Sequence, residues 1–249
     1  MRPSLCIQSE EDMMIKLGII GAMKIEVETL KSRMEGAVTS PIAGMEFCEG
    51  RLEGLEAVVV QCGVGKVNAA MCAQILCSSY GVTHLVNTGI AGSLCPELDI
   101  GDLVVSRDAM HHDFDCNAFG YPMGKVPGMD VVAFPADETL LGYAYAVADT
   151  VHPGHTKIGT VASGDQFVCS AEAKTRIISV TQGLCTEMEG AAIAQTAYRN
   201  KIPFVILRAI SDKADASAEM DYPSFERLAA HRCATVTCGL AKCLLEKVQ

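Results

Sequence analysis

The chain has 249 residues, 49% of them hydrophobic, which is enough for one α/β domain with a full core. Its formal net charge of −10 argues against a nucleic-acid partner, because nucleic-acid binding relies on clustered lysine and arginine, and the sequence has no basic stripe. No apolar run approaches the roughly 20 residues of a membrane span, and the N-terminus lacks a long apolar signal core. We therefore expect a cytoplasmic protein with neither a nucleic-acid nor a membrane partner.

Strand and helix patterns alternate along most of the chain. Residues 1–14 are polar and aperiodic, which predicts a disordered or alternative-start extension before a single domain at 15–249. Short β-branched runs predict strands at 17–22, 57–62, 84–88, 102–106, 157–163 and 204–210. Apolar spacings of three and four predict helices at 66–80, 137–151, 171–179, 188–199 and 225–248. Such alternation predicts helices covering a parallel or mixed sheet.

Three glycine-rich turns lie at the ends of predicted strands, within 18–23, 63–68 and 87–92. The first lacks the glycine spacing of a dinucleotide fingerprint, and the second lacks both the first glycine and the hydroxyl residue of a phosphate loop. Glycines at strand ends allow backbone to approach a flat ligand closely. Residues 111–129, rich in Gly, Pro, Asp and aromatics, predict a functional loop.

Neither metal nor cofactor is predicted. His111, His112, Asp113 and Asp115 form a metal-like composition, but no Glu-Xaa-Xaa-His pattern supports a metal site, so we favour a polar loop. The twelve cysteines are dispersed and form no Cys-Xaa-Xaa-Cys pair. They are interpreted as reduced core thiols.

Three carboxylates are candidates for chemistry. Asp212 ends the predicted strand at 204–210, at the edge where open α/β sheets bind ligands. Glu189 lies at a predicted helix start, and Glu26 follows the first predicted strand. A helix cap or a dipole contact explains any one of them. Together they suit glycosidic cleavage, which uses two carboxylates around the scissile bond.

Seven motifs resemble the bacterial 5′-methylthioadenosine/S-adenosylhomocysteine nucleosidases, in order from about Lys16 to the C-terminus. They are Gly21-Ala-Met-Lys-Ile-Glu26-Val, Gly63-Val-Gly-Lys-Val, Asn87-Thr-Gly-Ile-Ala-Gly, Ala118-Phe-Gly-Tyr121, Ser163-Gly-Asp-Gln-Phe167, Glu187-Met-Glu189 and Arg208-Ala-Ile-Ser-Asp212. The resemblance implies a single-domain three-layer α/β/α sandwich with a central mixed, mostly parallel twisted sheet. It also implies a homodimer that needs no cofactor.

The resemblance further implies a role for each matching residue. Asp212, oriented by Ser211, would protonate adenine N7, and Glu26 would activate water beside Arg208. The substrate would contact Met23, Val64, Phe167, Glu187, Met188, Glu189, Arg208, Ser211 and Tyr222, with Phe167 stacked on the base and Glu189 on the ribose hydroxyls. The second subunit would add Phe119, Tyr121 and Pro127.

Two alternatives remain open at this stage. A purine nucleoside phosphorylase shares the fold, but phosphorylase relatives commonly carry Gly-Asp-Pro and a following Arg where this chain has Met23-Lys-Ile-Glu26, and Ser or Thr where it has Ile90. A non-catalytic nucleoside-binding module is more distant, because all three acids are present. The 5′ substituent is open among methylthio, homocysteinyl, deoxy and aminodeoxyfutalosine groups, as are the effects of Ile90 and Cys116.

Overall fold

The computed structural model describes residues 14–248, with backbone alone at 219–221 and 248. These residues form ten strands, six α-helices, a short 3-10 helix at Asn117–Phe119 and the loops between them. The strands are β1 (Leu17–Gly21), β2 (Met34–Ile42), β3 (Met45–Leu52), β4 (Leu55–Gln61), β5 (His84–Ser93), β6 (Leu103–His111), β7 (Phe134–Pro135), β8 (Thr156–Ser163), β9 (Cys185–Glu187) and β10 (Phe204–Asp212). The helices are α1 (Lys24–Ser32), α2 (Lys66–Ser79), α3 (Glu138–Val151), α4 (Ala171–Thr181), α5 (Gly190–Asn200) and α6 (Ala218–Val248).

All ten strands join one mixed sheet. The central ladders are parallel: β1 pairs with β4 and β5, β10 with β5, and β8 with β6 and β9. The β2–β3–β4 meander and the pairings β10–β6, β5–β9 and β6–β7 are antiparallel. Parallel strands present their carboxyl ends at a common edge, so this sheet gathers the residues that follow β1, β4, β5, β8 and β10.

Helices cover both faces of the sheet. Successive strand residues point to opposite faces, so Leu17 and Ile19 of β1 pack in one apolar cluster while Ile20 packs in the other. The first cluster contains residues of α1, α3 and α6, and the second contains residues of α2 and α5. This three-layer α/β/α arrangement confirms the predicted fold class.

Several element boundaries differ from the predictions. The helix predicted at 188–199 begins at Gly190, because Cys185–Glu187 pair with β5 and β8 as a short strand. α1 and the β2–β3 hairpin were not predicted. β2 is exposed along most of its length and carries no apolar alternation, so only its backbone pairing with β3 defines it.

The sequence also led to expectations about membrane spans, the cysteines and the N-terminal extension. Among the described residues, no helix has the length and apolar character needed to span a membrane. The eleven cysteines in that part of the chain are free thiols, six of them buried. The predicted extension lies outside the described residues, apart from the exposed Met14.

Candidate active site

A cavity of about 440 Å³ opens at the carboxyl edge of the sheet. Strand ends and the turns that follow them supply most of its walls, as expected for an α/β sheet. Its lining residues are Ala22, Met23, Glu26, Val64, Ile90, Ala91, Gly92, Gln166, Phe167, Val168, Thr186, Glu187, Met188, Glu189, Ser211, Asp212 and Tyr222. Four of these are carboxylates, and none is a lysine, arginine or histidine.

Glu26 lies in the first turn of α1 and is buried beneath the cavity. Its Oε2 accepts the backbone N–H groups of Ala22, at 2.7 Å, and Met23, at 2.9 Å. Its Oε1 accepts the N–H of Ile90, at 3.1 Å. Burial raises the pKa of Glu26, whereas Arg208 and these three N–H groups lower it; the net shift is upward. The result is a fixed carboxylate that is more basic than an ordinary glutamate.

Arg208 lies behind the cavity and does not line it. It projects from β10, is wholly buried and donates to Glu187 and to Asn87. Burial lowers the pKa of Arg208, but the neighbouring carboxylates, Glu187 first, raise it further, so the guanidinium stays charged. Gly89 passes so close that a Cβ there would overlap both the guanidinium and the Glu26 carboxylate.

Glu187 is held by protein donors on both of its oxygens. It accepts the Ser163 hydroxyl, the N–H groups of Glu189 and Gly190, and the Arg208 guanidinium. Its position at the end of β9 therefore anchors the start of α5 to the buried arginine. This geometry suits positioning of its neighbours better than direct contact with a ligand.

Glu189 occupies the N-cap position of α5 and faces the cavity. Its Oε1 accepts the N–H of Gly65 at 2.8 Å, and its Oε2 lies 3.9 Å from Arg208 Nη2. Burial, followed by the charge of Glu187, raises the pKa of Glu189 to about 7. Gly65 has φ +99°, which glycine adopts without strain and which turns its N–H toward this carboxylate.

Asp212 closes β10 at another wall of the same cavity. Its Oδ2 accepts the Ser211 hydroxyl at 2.8 Å, and its Oδ1 accepts the N–H of Ala214 at 2.8 Å. The side chain is buried, so these contacts set its direction. The structure thus brings together Glu26, Glu189 and Asp212 from three distant parts of the sequence.

Apolar groups cover the remaining walls. Phe167 is 46% exposed, and its ring meets that of Tyr222 edge to face, with centroids 5.8 Å apart. The Tyr222 hydroxyl donates to Met23 Sδ at 3.1 Å. Val64 and Met188 also line the cavity. A slot with aromatic and aliphatic walls and carboxylates below suits a flat base joined to a polar sugar.

The residues assigned to a second subunit lie away from this cavity. Phe119 is 82% exposed, and Tyr121 and Pro127 are also exposed, on the segment between β6 and β7. None of the three lines the cavity of their own chain. Of the two positions left open by the sequence, Ile90 lines the cavity and Cys116 does not.

Other residues near the cavity escaped the sequence analysis as site residues. Asn87 and Ser163 complete the hydrogen bonds around Arg208 and Glu187, and Gln166, Val168 and Thr186 line the wall. Asn87 and Ser163 each begin one of the seven family motifs, and this position was the only feature of the sequence that could have marked them as site residues. Their partners are far away in sequence, so only the folded chain reveals what they hold.

Asp113, from the metal-like cluster, belongs to a positioning network. Its carboxylate accepts Lys66 Nζ at 2.6 Å and the N–H of Asp165 at 2.9 Å. The carboxylate of Asp165 in turn accepts the N–H of Lys66 at 2.8 Å. These bonds join the glycine turn that holds Glu189 to the segment that carries Phe167. The two histidines of the cluster differ from the predicted polar loop, because His111 ends β6 and both His111 and His112 are buried.

The three-layer fold, with carboxylates gathered around an apolar slot at the sheet edge, defines a protein of the phosphorylase superfamily. The family model described as "Phosphorylase superfamily" matches residues 16–242. This match covers nearly all of the described chain.

Comparison with individual relatives shows which family of the phosphorylase superfamily the chain resembles. The chain is 40% identical over 234 residues to a 5′-methylthioadenosine/S-adenosylhomocysteine nucleosidase of Geobacillus kaustophilus, covering 94% of this chain and 99% of the relative. A solved Neisseria meningitidis nucleosidase in complex with methylthio-immucillin-A is 36% identical, with a TM-score of 0.89 over 92% of this chain and 99% of that one. Helicobacter pylori futalosine hydrolase is 32% identical, with a TM-score of 0.87 over 93% and 99%. The chain belongs to the 5′-methylthioadenosine/S-adenosylhomocysteine nucleosidase family.

Proposed function

We propose that this protein hydrolyses the N-glycosidic bond of 5′-methylthioadenosine and S-adenosylhomocysteine, releasing adenine and the 5-thioribose product. The observation that carries the proposal is the cavity in which Asp212 and Glu26 meet without any lining cation. Relatives named 5′-methylthioadenosine/S-adenosylhomocysteine nucleosidase match nearly the whole chain. The reaction would serve methionine salvage and the recycling of adenosylmethionine by-products.

Asp212 would act on the leaving group. Protonation of adenine N7 lets the base depart neutral, so the bond breaks through an oxocarbenium-like state. The hydroxyl of Ser211 and the N–H of Ala214 hold the Asp212 carboxyl in one direction. Phe167, at the cavity wall, would stack on the departing base.

Glu26 would act on the water and Glu189 on the sugar. An ionised Glu26, fixed by three N–H donors, accepts a proton from water as the water attacks the anomeric carbon. Glu189 lines the cavity, and ribose hydroxyls would donate to its carboxylate, of which Oε1 already accepts the N–H of Gly65. Their negative charges also stabilise the developing positive charge on the sugar.

The cavity favours hydrolysis over phosphorolysis. A phosphate nucleophile needs cationic or multiple N–H donors, whereas the lining supplies carboxylates, which repel an anion. Ile90 places an apolar residue in the cavity lining at the position where phosphorylase relatives commonly carry Ser or Thr. A non-catalytic nucleoside-binding module would not need both an acid, Asp212, and a base, Glu26, around the glycosidic bond.

Adenine release from methylthioadenosine and adenosylhomocysteine, with and without phosphate, tests the proposal. We expect equal release in both buffers. A phosphate requirement would instead identify a phosphorylase, and tight binding without release would identify a binding module. 5′-Deoxyadenosine and aminodeoxyfutalosine belong in the same assay, because a futalosine hydrolase shares the fold. Faster turnover of either would reassign the 5′ group while keeping the hydrolase.

A homodimer with shared sites is part of the proposal. Phe119, Tyr121 and Pro127 are exposed apolar residues on one loop, as needed for insertion into a neighbouring cavity. Exposed Val67 and Met71 on α2 extend the apolar surface near the cavity residue Val64. The cytoplasmic location remains a prediction from the sequence.

Mixing two defective variants tests the shared site. In one, Asp212→Asn removes the acid; in the other, Phe119→Ala with Tyr121→Ala removes the loop aromatics. After subunit exchange, half of the dimers are mixed and each has one intact site, so about a quarter of wild-type activity should return. Restoration requires that each cavity use its own Asp212 and its partner's loop. Native mass spectrometry, which separates the mixed dimer from both parents by mass, controls for exchange. Mixed dimers without restored activity would contradict the shared site.

A further inference from the structure

Three potential metal ligands meet at an edge of the fold that does not line the cavity. His152 and His155 follow the end of α3, and Asp102 precedes β6. The ligand atoms of these three residues all lie within 4.8 Å of one another. His155 Nδ1 is 2.8 Å, and His152 Nε2 is 3.9 Å, from Asp102 Oδ1. The imidazole rings stack at 4.2 Å with 13° between their planes, which brings both to the same carboxylate.

The backbone holds this cluster in place. The N–H of Leu103 donates to the His155 carbonyl at 2.9 Å, which joins the two segments directly. Asp102 Oδ2 accepts the N–H of Asp99 at 2.8 Å, leaving Oδ1 directed at the histidines. Asp102 is buried, whereas the His155 side chain is 54% exposed. The cluster therefore has a fixed base and access from solvent.

The spacing and chemistry suit a transition-metal ion. Ligand atoms bound at about 2.1 Å to one tetrahedral ion lie roughly 3.4 Å apart. The observed separations of 2.8 and 3.9 Å bracket that value, and rotation of the exposed His155 ring out of the stack would turn its ring nitrogen to the same point as that of His152. Two imidazoles and a carboxylate are a donor set used for Zn²⁺ and related ions.

Charged side chains also lie beside the cluster. Arg232 donates to the Gly101 carbonyl at 2.5 Å, so its guanidinium is held by the backbone beside the cluster. Asp99, on the turn that leads to Asp102, forms an ion pair with Lys213, which follows β10.

We propose that Asp102, His152 and His155 form a binding site for a divalent transition-metal ion of the Zn²⁺, Co²⁺ and Ni²⁺ class. Solvent water would fill the remaining coordination positions. The carbonyl of Asp102 accepts the N–H of Ile210 at 2.9 Å, two residues before Asp212. An ion here would tie the end of α3 to the turn that braces β10, and so stabilise the fold without taking part in glycosidic cleavage.

Titration of the purified metal-free protein with Co²⁺ provides the test. We expect one equivalent to bind with the visible bands of nitrogen and oxygen ligation, and the melting temperature to rise by a few degrees. His152→Ala and Asp102→Asn should each weaken binding by roughly tenfold or more, on the scale of losses seen when metal-site residues are removed. His231→Ala, which removes an exposed histidine from α6, is the matched control and should bind as wild type does.

Two results would overturn the site. Equal Co²⁺ affinity in wild type, His152→Ala and Asp102→Asn would show that these residues do not hold the ion. Near-ultraviolet thiolate-to-metal charge transfer would show that cysteines hold it instead. Because Asp102→Asn could also disturb folding, its circular dichroism spectrum is first compared with that of the wild type. If Asp102→Asn misfolds, His152→Ala alone decides the test.

Discussion

Asp212→Asn is expected to lower kcat for adenine release by about 100-fold to 10,000-fold, the range for loss of a general acid. The N–H groups of an amide can donate a hydrogen bond to N7 but are far too weakly acidic to protonate it, so adenine must leave as an anion. Asparagine is nearly the same size as aspartate, and its oxygen can still accept the hydroxyl of Ser211 or the N–H of Ala214. Substrate binding should therefore survive. Pre-steady-state adenine release and equilibrium binding of methylthioadenosine measure the two effects separately.

Asp215→Asn provides the matched control for this change. Asp215 lies three residues further on, accepts bonds from Ser217 and does not line the cavity. Its variant should keep wild-type kcat. An Asp212→Asn protein that turns over at the wild-type rate would remove Asp212 from the role of acid, and one that fails to bind substrate would assign it to recognition.

Glu26→Gln is expected to lower kcat by a similar factor, about 100-fold to 10,000-fold, because it removes the base that accepts the proton of water. The side chain keeps its length, but its amide group must face one of the N–H donors of Ala22, Met23 or Ile90. Glu28→Gln changes an exposed glutamate of the same helix and should leave kcat unaltered. Wild-type activity in Glu26→Gln would exclude Glu26 as the base.

The pH profile follows from the raised pKa of Glu26. A base works ionised, so kcat/KM of the wild type should fall as pH falls through this pKa, at a midpoint above the ordinary value of 4.5. Glu189, with a pKa of about 7, contributes to the same acidic limb. In Glu26→Gln only the contribution of Glu189 should remain. Initial rates between pH 4.5 and 8.5, at about one-unit spacing or finer, measure both profiles.

The raised pKa of Glu26 also provides a control for misfolding of the Glu26→Gln variant. A carboxyl whose pKa is raised on folding stabilises the fold below its unfolded pKa, and loses this contribution as pH rises through the folded value. At pH near 8, ionised Glu26 therefore costs stability, which the neutral glutamine does not. Melting temperatures at that pH should show no large loss in Glu26→Gln. A collapse in melting temperature would attribute lost activity to misfolding.

Many of the strands and helices could be predicted from local patterns in the sequence. Buried runs such as those of β1 and β10, and amphipathic helices such as α3, were predictable because a single buried strand or helix shows its own periodicity. β2 and β9 were not, because their identity depends on pairing with strands elsewhere in the chain. The helix start shifted to Gly190 for the same reason.

The sequence by itself determined the α/β class, the order of the motifs and the acids Glu26, Glu189 and Asp212, because residue type and strand-end position are local properties. Only the tertiary structure decided that Arg208 lies behind the cavity, that Glu187 is occupied by protein donors, and that Gly65 holds Glu189. These roles depend on burial and on contacts between residues more than twenty positions apart, which are created when the sheet brings its strand ends to one edge.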